Sequence, residues 1–145
     1  MGSLPSVMVE RPMVANGRMA QVLKDAIGLC DGRKPAAESL CEDIQLYNDV
    51  TGNHGATAPE GTSVSPGFRS AMFHVISGSN GGWSQERFAG FYSLGNGSYF
   101  GESAHDMADF KERYWGPNYG RLLEVKKSVD PENFFWCRNC VGSDL

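Results

Sequence analysis

The feature that most constrains this chain is the run from Gly116 to Pro131, GPNYGRLLEVKKSVDP, because it holds a helix start, an apolar stripe and a stop. Pro117 suits a first helical turn: its φ is already near the helical value, and its missing N–H would be unpaired there anyway. From Asn118 onward, Tyr119, Leu122, Leu123, Val125 and Val129 recur at steps of three and four, the spacing of one buried helix face, and Arg121, Glu124, Lys126 and Lys127 fill the rest. Asp130-Pro131 ends the run, since the residue before a proline is pushed out of the α region. The spacing predicts a helix from about Asn118 to Val129 with Leu122 and Val125 buried. An aromatic tail, Phe134-Phe135-Trp136, then packs or docks.

Read from Tyr114 to Trp136, the same stretch resembles the C-terminal signature of the berberine-bridge-enzyme-like family, flavin-linked oxidoreductases of the vanillyl-alcohol oxidase superfamily. That signature reads, loosely, Y-aromatic-G-x-N-aromatic-x-R-L-x-x-[IV]-K-x-x-x-D-P-x-N-x-F. Here it is carried by Tyr114, Trp115, Gly116, Asn118, Tyr119, Arg121, Leu122, Val125, Lys126, Asp130, Pro131, Asn133 and Phe135. The WCRNCVGS ending is similar to the fungal branch. Members of the family are much longer, and their N-terminal part carries the FAD-binding domain, where a His and often a Cys hold the flavin covalently. Nothing in this chain resembles that part. The resemblance therefore implies a fragment, a split subunit or a truncated gene product. Residues 1–95 would be a partial substrate-binding domain, and residues 96–145 the segment that returns to an FAD domain. The fold expected is α+β: an antiparallel sheet remnant with flanking helices, ending in a helical C-terminal segment.

Composition sets outer limits on function. A chain of 145 residues is about one domain. A net charge of −4 argues against a nucleic-acid partner, which needs a basic face. No apolar run approaches the roughly 20 residues of a membrane span. The start, MGSLPSVMVERPM, lacks the basic opening and continuous apolar core of a signal peptide, although full-length relatives are often secreted.

Along the chain, SVMV at 6–9 predicts a strand. RMAQVLKDAIGL at 18–29 predicts a helix with Met19, Val22, Leu23, Ala26 and Ile27 on one face, closed by a turn at Cys30-Asp31-Gly32. Ala36–Leu40 is a weaker helix or loop, and 43–50 alternates as a modest strand. Residues 51–67 are polar and rich in Gly and Pro, and predict one long loop. RSAMFHVIS at 69–77 follows, with apolar residues on both faces as in a central strand. Gly78–Gly82 is a flexible turn. Family members place a longer helix after this strand, whereas only WSQERFAGFYSLGN intervenes here. The departure predicts apolar surface left exposed on Arg69–Ser77 and Phe88–Tyr92, and with it self-association. Asp106–Arg113 predicts a short helix with Met107, Phe110 and Tyr114 on one side.

The candidate chemistry sits in GSYFGESAHD, residues 97–106, which resembles the family segment lining the flavin ring. Tyr99 matches its first Tyr, Gly101 replaces the usual Asn, and Glu102 sits where plant-type members carry a catalytic Tyr and fungal relatives often carry Glu. The resemblance implies Glu102 and Tyr99 as catalytic residues. It implies Tyr99, Gly101, Asn118 and Tyr119 as residues against the FAD. Taken by themselves, Glu102 is equally a solvated acid, Asn118 a helix cap and Tyr119 a core aromatic. His74 reads as packed in the core or facing the flavin. Asn96-Gly97-Ser98 is a glycosylation sequon beside this segment. Cys137-Arg138-Asn139-Cys140 is a lone CxxC with no matching pair for a four-ligand zinc site, so no metal is expected and a local disulfide or two thiols is the reading.

Together these features imply the C-terminal part of an FAD-dependent oxidoreductase that oxidises a small alcohol or activated C–H, with FAD not retained and no activity by this chain unless an FAD-domain polypeptide joins it. The alternative is a truncated, non-enzymatic α+β domain that binds a partner or small ligand.

Overall fold

A computed structural model of the protein describes residues 5–28, 47–50, 62–76, 85–86, 88–105 and 107–145, with the backbone alone for 25–28 and 47–50. Three strands make one antiparallel sheet. β1 (Ser6–Glu10) and β2 (Tyr47–Val50) both pair with β3 (Ala71–Ile76), which is central. The register sets His74 opposite Met8 on one side and Asp49 on the other. The central position explains why β3 is apolar on both faces, as its sequence predicts. The strand starts two residues later than predicted, because Arg69 and Ser70 belong to one helical turn, α3 (Gly67–Ser70). Pro66 precedes that turn with φ of −57°, already helical, so the loop closes by winding up. The predicted features at 30–32, 36–40, 43–46, 51–61 and 78–82 lie outside the described residues.

β1 leads into α1 (Arg11–Ala15) and α2 (Arg18–Gly28). On α2 the predicted face holds where it is described: Val22 is buried and Met19 packs against the core. Behind the sheet lie α4 (Ala89–Tyr92) and the irregular segment that follows it. Phe88, Tyr92 and Leu94 are buried and join Val7, Val9 and Val75 in one cluster. Gly95 makes this approach possible: a Cβ there would stand 1.8 Å from the Met8 carbonyl oxygen. The Met8 N–H donates to the Gly97 carbonyl at 2.8 Å, so this segment hydrogen-bonds directly to β1. Among the described residues, the buried side chains of β3 and of the segment after it thus meet in one cluster. The expected exposure of β3 and of the large side chains around α4 is not observed, because Phe88, Tyr92 and Leu94 fill the space.

Met107, Phe110 and Tyr114 are buried together as predicted, but the helical turn is a π-helical one at Lys111–Trp115, later than expected, and of the three it holds only Tyr114. A 3₁₀ turn at Gly116–Asn118 then opens α5 (Tyr119–Val129), and Pro117 stands in its first positions. The start and stop match the sequence; the burial does not. No residue of α5 is fully buried, Leu122 is half-buried, and Val125 is 43% and Val129 74% exposed. The helix touches the rest of the chain mainly at its N-terminal end, where Tyr119 packs on Phe110 with ring centroids 6.2 Å apart. Further along, the tail approaches α5 at Leu123 and Lys126, near Gly142, while Val125 and Val129 stay exposed. Among the described residues no helix is long and apolar enough to cross a membrane.

Candidate functional site

The segment 97–102 is held at successive points before it turns. The Ser98 N–H donates to the Arg113 carbonyl at 2.9 Å, and the Tyr99 N–H to Ser6 Oγ on β1 at 3.0 Å. The Glu102 N–H then returns to the Tyr99 carbonyl at 3.1 Å. This places Tyr99 over β3, where its ring meets Phe68 of α3 and His74 of β3. The three centroids lie 5.6–5.9 Å apart in edge-to-face contacts, the geometry that aromatic quadrupoles favour. Tyr99 folds back over Gly101: a Cβ at that position would sit 2.8 Å from Tyr99 Cε1 and 3.0 Å from its hydroxyl oxygen. The departure from the family's Asn therefore has a local consequence, since the tyrosine ring occupies the space a side chain would take. Glu102 follows, with Oε2 3.4 Å from His74 Nε2; the two side chains are 29% and 5% exposed.

Beside this cluster opens a cleft of about 280 Å³, lined chiefly by Val64, Phe68, Tyr99, Phe100, Tyr114 and Trp115. Tyr99 stands 44% exposed at it. Burial pushes the Tyr114 phenol up to about 12, so it stays a neutral donor and bonds the Ala104 carbonyl at 3.4 Å. Asn118 stands at the start of α5, but its side chain does not cap the helix. Instead Asn118 Nδ2 donates to the Val64 carbonyl at 3.0 Å and fixes one wall of the cleft. Tyr119 points elsewhere. Its hydroxyl donates to Asp144 Oδ1 at 3.0 Å and accepts from the Gly142 N–H at 3.3 Å, in the tail. The structure thus brings Tyr99, Gly101 and Glu102 together, ties Asn118 to the same cleft, and sets Tyr119 apart. Asn96 is exposed, and it borders a separate, smaller cleft with Glu10 and Glu112.

Cys137 and Cys140 form a disulfide. Among the described residues no group of His, Cys, Asp and Glu could hold a metal. The disulfide loop carries a contact that sequence reasoning missed. Asn139, in left-handed backbone (φ 59°), is buried, and its Nδ2 donates to the carbonyls of Ala104 at 3.1 Å and His105 at 3.2 Å. The tail therefore reaches the backbone just after Glu102. A polar residue between two cysteines was the one signal available, and it does not name its partner.

Residues 98–142 match the family model described as berberine and berberine like, which spans this site segment, α5 and the tail. Over that segment the chain is similar to berberine-bridge-like proteins. An uncharacterized FAD-linked oxidoreductase of Arthroderma benhamiae is 37% identical over 60 residues, 41% of this chain and 11% of the relative. The VAO-type flavoprotein oxidase VAO615 of Thermothelomyces thermophilus is 43% identical over 51 residues, 35% of this chain and 9% of the relative. The aligned stretches thus span about a tenth of the relatives. The crystal structure of the VAO-type flavoprotein MtVAO615 from Myceliophthora thermophila C1 superimposes with a TM-score of 0.68. It is 23% identical and covers 97% of this chain but 27% of that one, a likeness of fold. The α+β architecture, small antiparallel sheet and helical C-terminal segment of this berberine-bridge-like chain agree with that neighbour.

Proposed function

We propose that this chain forms the substrate-facing wall of an FAD-dependent oxidoreductase acting on a small alcohol or activated C–H compound. The observation that carries the proposal is Glu102, a partly buried carboxylate beside an aromatic cleft, on the segment that the family model matches. Ligand pockets commonly enclose about 300–1,000 Å³. A cleft of about 280 Å³ suits a ring system or a small substrate and is too small for a whole dinucleotide. The aromatic lining fits one face of a flavin ring, so Tyr99, the open backbone at Gly101 and the wall held by Asn118 are the residues proposed to meet it. Tyr119 would serve the same unit by anchoring the tail.

Bound FAD would supply the hydride acceptor. Glu102 would take the proton that the substrate's O–H or C–H releases, and a positioned carboxylate of this kind typically contributes about a hundred- to ten-thousand-fold in rate. Tyr99 would orient the substrate against the cleft. The proposed partner is a polypeptide carrying the FAD-binding part, with residues 1–95 and 96–145 acting as wall and returning segment. Phe134, Phe135 and Trp136, exposed on the tail, are apolar surface suited to that partner. The test is complementation. The chain is co-expressed with the Thermothelomyces thermophilus relative lacking its matching C-terminal part, and flavin reduction is followed by stopped flow. The expected result is a yellow complex that substrate reduces, and Glu102→Gln that keeps the flavin but loses at least about a hundredfold in rate. A Glu102→Gln complex that reduces at the wild-type rate would remove Glu102 from the chemistry.

A further inference from the structure

We infer that His74 is a positioning residue for Glu102, holding its carboxylate next to the Phe68–His74–Tyr99 ring cluster. The inference rests on the proposal that Glu102 accepts the substrate proton, and it adds a residue outside the matched segment, 28 positions earlier in the chain. Glu102 is a long side chain on an irregular segment, and fixing such a chain in one rotamer costs conformational entropy. His74 is the opposite case. It is buried, it sits on the central strand with backbone partners on both sides, and its ring is wedged edge-on between Phe68 and Tyr99. Its Nε2 lies 3.4 Å from Glu102 Oε2, so the stiffest element of the fold meets the group that most needs orienting.

The chemistry of the pair agrees with this role. A base must be ionised to accept a proton, and a neighbouring imidazolium favours the carboxylate form. That attraction is stronger where water is scarce than at a free surface. Histidine suits the position because its ring packs among aromatic groups and still answers to a nearby charge. Among the described residues, the elements around His74 bring Phe68 from α3 and Tyr99 and Glu102 from the site segment, with Met8 and Asp49 opposite it in the backbone register of β1 and β2.

The test reads His74 directly, by NMR of the full chain with labelled histidine, together with stopped-flow reduction in the complemented flavoprotein. With Glu102→Gln the imidazole should lose about tenfold or more in proton affinity, and its titration should move to lower pH. Tyr99→Phe should move it less. In the flavoprotein, His74→Gln should slow reduction about 10- to 100-fold, as removal of an orienting partner typically does, with little change in substrate affinity and a displaced pH profile. An unmoved His74 titration in Glu102→Gln overturns the inference, and the proposed base still stands if that variant remains slow. A wild-type rate in His74→Gln overturns it as well. A wild-type rate in Glu102→Gln defeats both proposals together. Because His74 is buried and His74→Gln can fail to fold, the titration of the intact histidine is an independent arm.

Discussion

The sheet with its site segment and the helix with its tail are held together by different physics. Around β1 and β3 the apolar groups point inward: Val7, Val9, Val75, Leu94 and Tyr114 are buried in one cluster. Around α5 they point outward, and polar links hold the fold. The Asp130 carboxylate accepts from Lys126 and from the N–H groups of Phe134 and Phe135, Lys111 pairs with Asp144, and Trp136 Nε1 donates to the Ser143 carbonyl. Meanwhile Phe134 is 82%, Phe135 75% and Trp136 58% exposed. A helix can thus be amphipathic and tightly tethered while, among the described residues, Val125 and Val129 on its apolar side face no core.

The contrast should show most in truncations. Tyr114 is 1% exposed, packs on Phe100 with centroids 5.7 Å apart, and bonds Ala104. Tyr114→Ala should cost about 3–5 kcal/mol, the range for large core aromatics. Leu122→Ala, on the half-buried face of α5, should cost about 1 kcal/mol, the centre of the ordinary mutational range. Urea denaturation of both variants checks this. Equal losses would mean that α5 shares the core after all.

The sequence signals were strongest where packing is weakest. Pro117 and Asp130-Pro131 act through local backbone sterics, so both ends of α5 were legible. The stripe of Leu122, Val125 and Val129 reports that a partner surface suits the helix, but periodicity cannot say whether that surface lies in the same chain. The β3 run was legible for the converse reason, since a central strand is apolar on both faces. Tyr99 and Glu102 could be marked only through resemblance. Their meeting with Phe68 and His74 depends on the β1–β3 register and on the close approach at Gly95, which no local pattern encodes. Asn139 on Ala104 and His105 is likewise a long-range contact between two irregular segments.

Cutting the tail's covalent tie sharpens the comparison further. In the chain-entropy model, the short loop closed by Cys137 and Cys140 is worth about 2 kcal/mol. Cys137→Ser with Cys140→Ser should lower stability by about that amount or less. It should also release Asn139 from Ala104 and His105, seen as faster amide exchange at 104–105, while the β1–β3 amides stay protected. Exchange that rises equally in the sheet would show that the two regions open as one unit.

Acid should separate them too. The Asp130 carboxyl is held below the usual carboxylate range chiefly by the Lys126 hydrogen bond, which outweighs desolvation, with the Phe134 and Phe135 N–H groups adding to the lowering. Asp144 is lowered chiefly by its hydrogen bond with Lys111. In both, the folded state favours the charged form, so their stabilisation is complete above the unfolded value near 4 and is lost as pH falls through the lower folded values. Trp136 fluorescence should therefore change below about pH 4 before the far-ultraviolet signal of the sheet does. Asp130→Asn should lose most of that early phase. If tail and sheet titrate together in wild type, the polar tethers are not what holds the tail.

The smallest effect on stability should come from the most apolar residues of the tail. Phe134 and Phe135 stack edge to face with centroids 5.2 Å apart, but each keeps most of its surface in water. Replacing both with Ser removes little buried area, so the change should stay within about 0.5 kcal/mol, as for surface positions away from special features. The backbone amides of both residues still reach Asp130, so the tail keeps its path. What should change is the surface. Binding of a hydrophobic dye such as ANS to the native chain should fall sharply in Phe134→Ser with Phe135→Ser, and assembly with the flavin-domain polypeptide should weaken with it. A stability loss of several kcal/mol would mean that these rings pack within the chain and that the inward and outward regions are not distinct. Unchanged stability with unchanged dye binding would move the exposed apolar surface from the tail to Val125 and Val129 on α5.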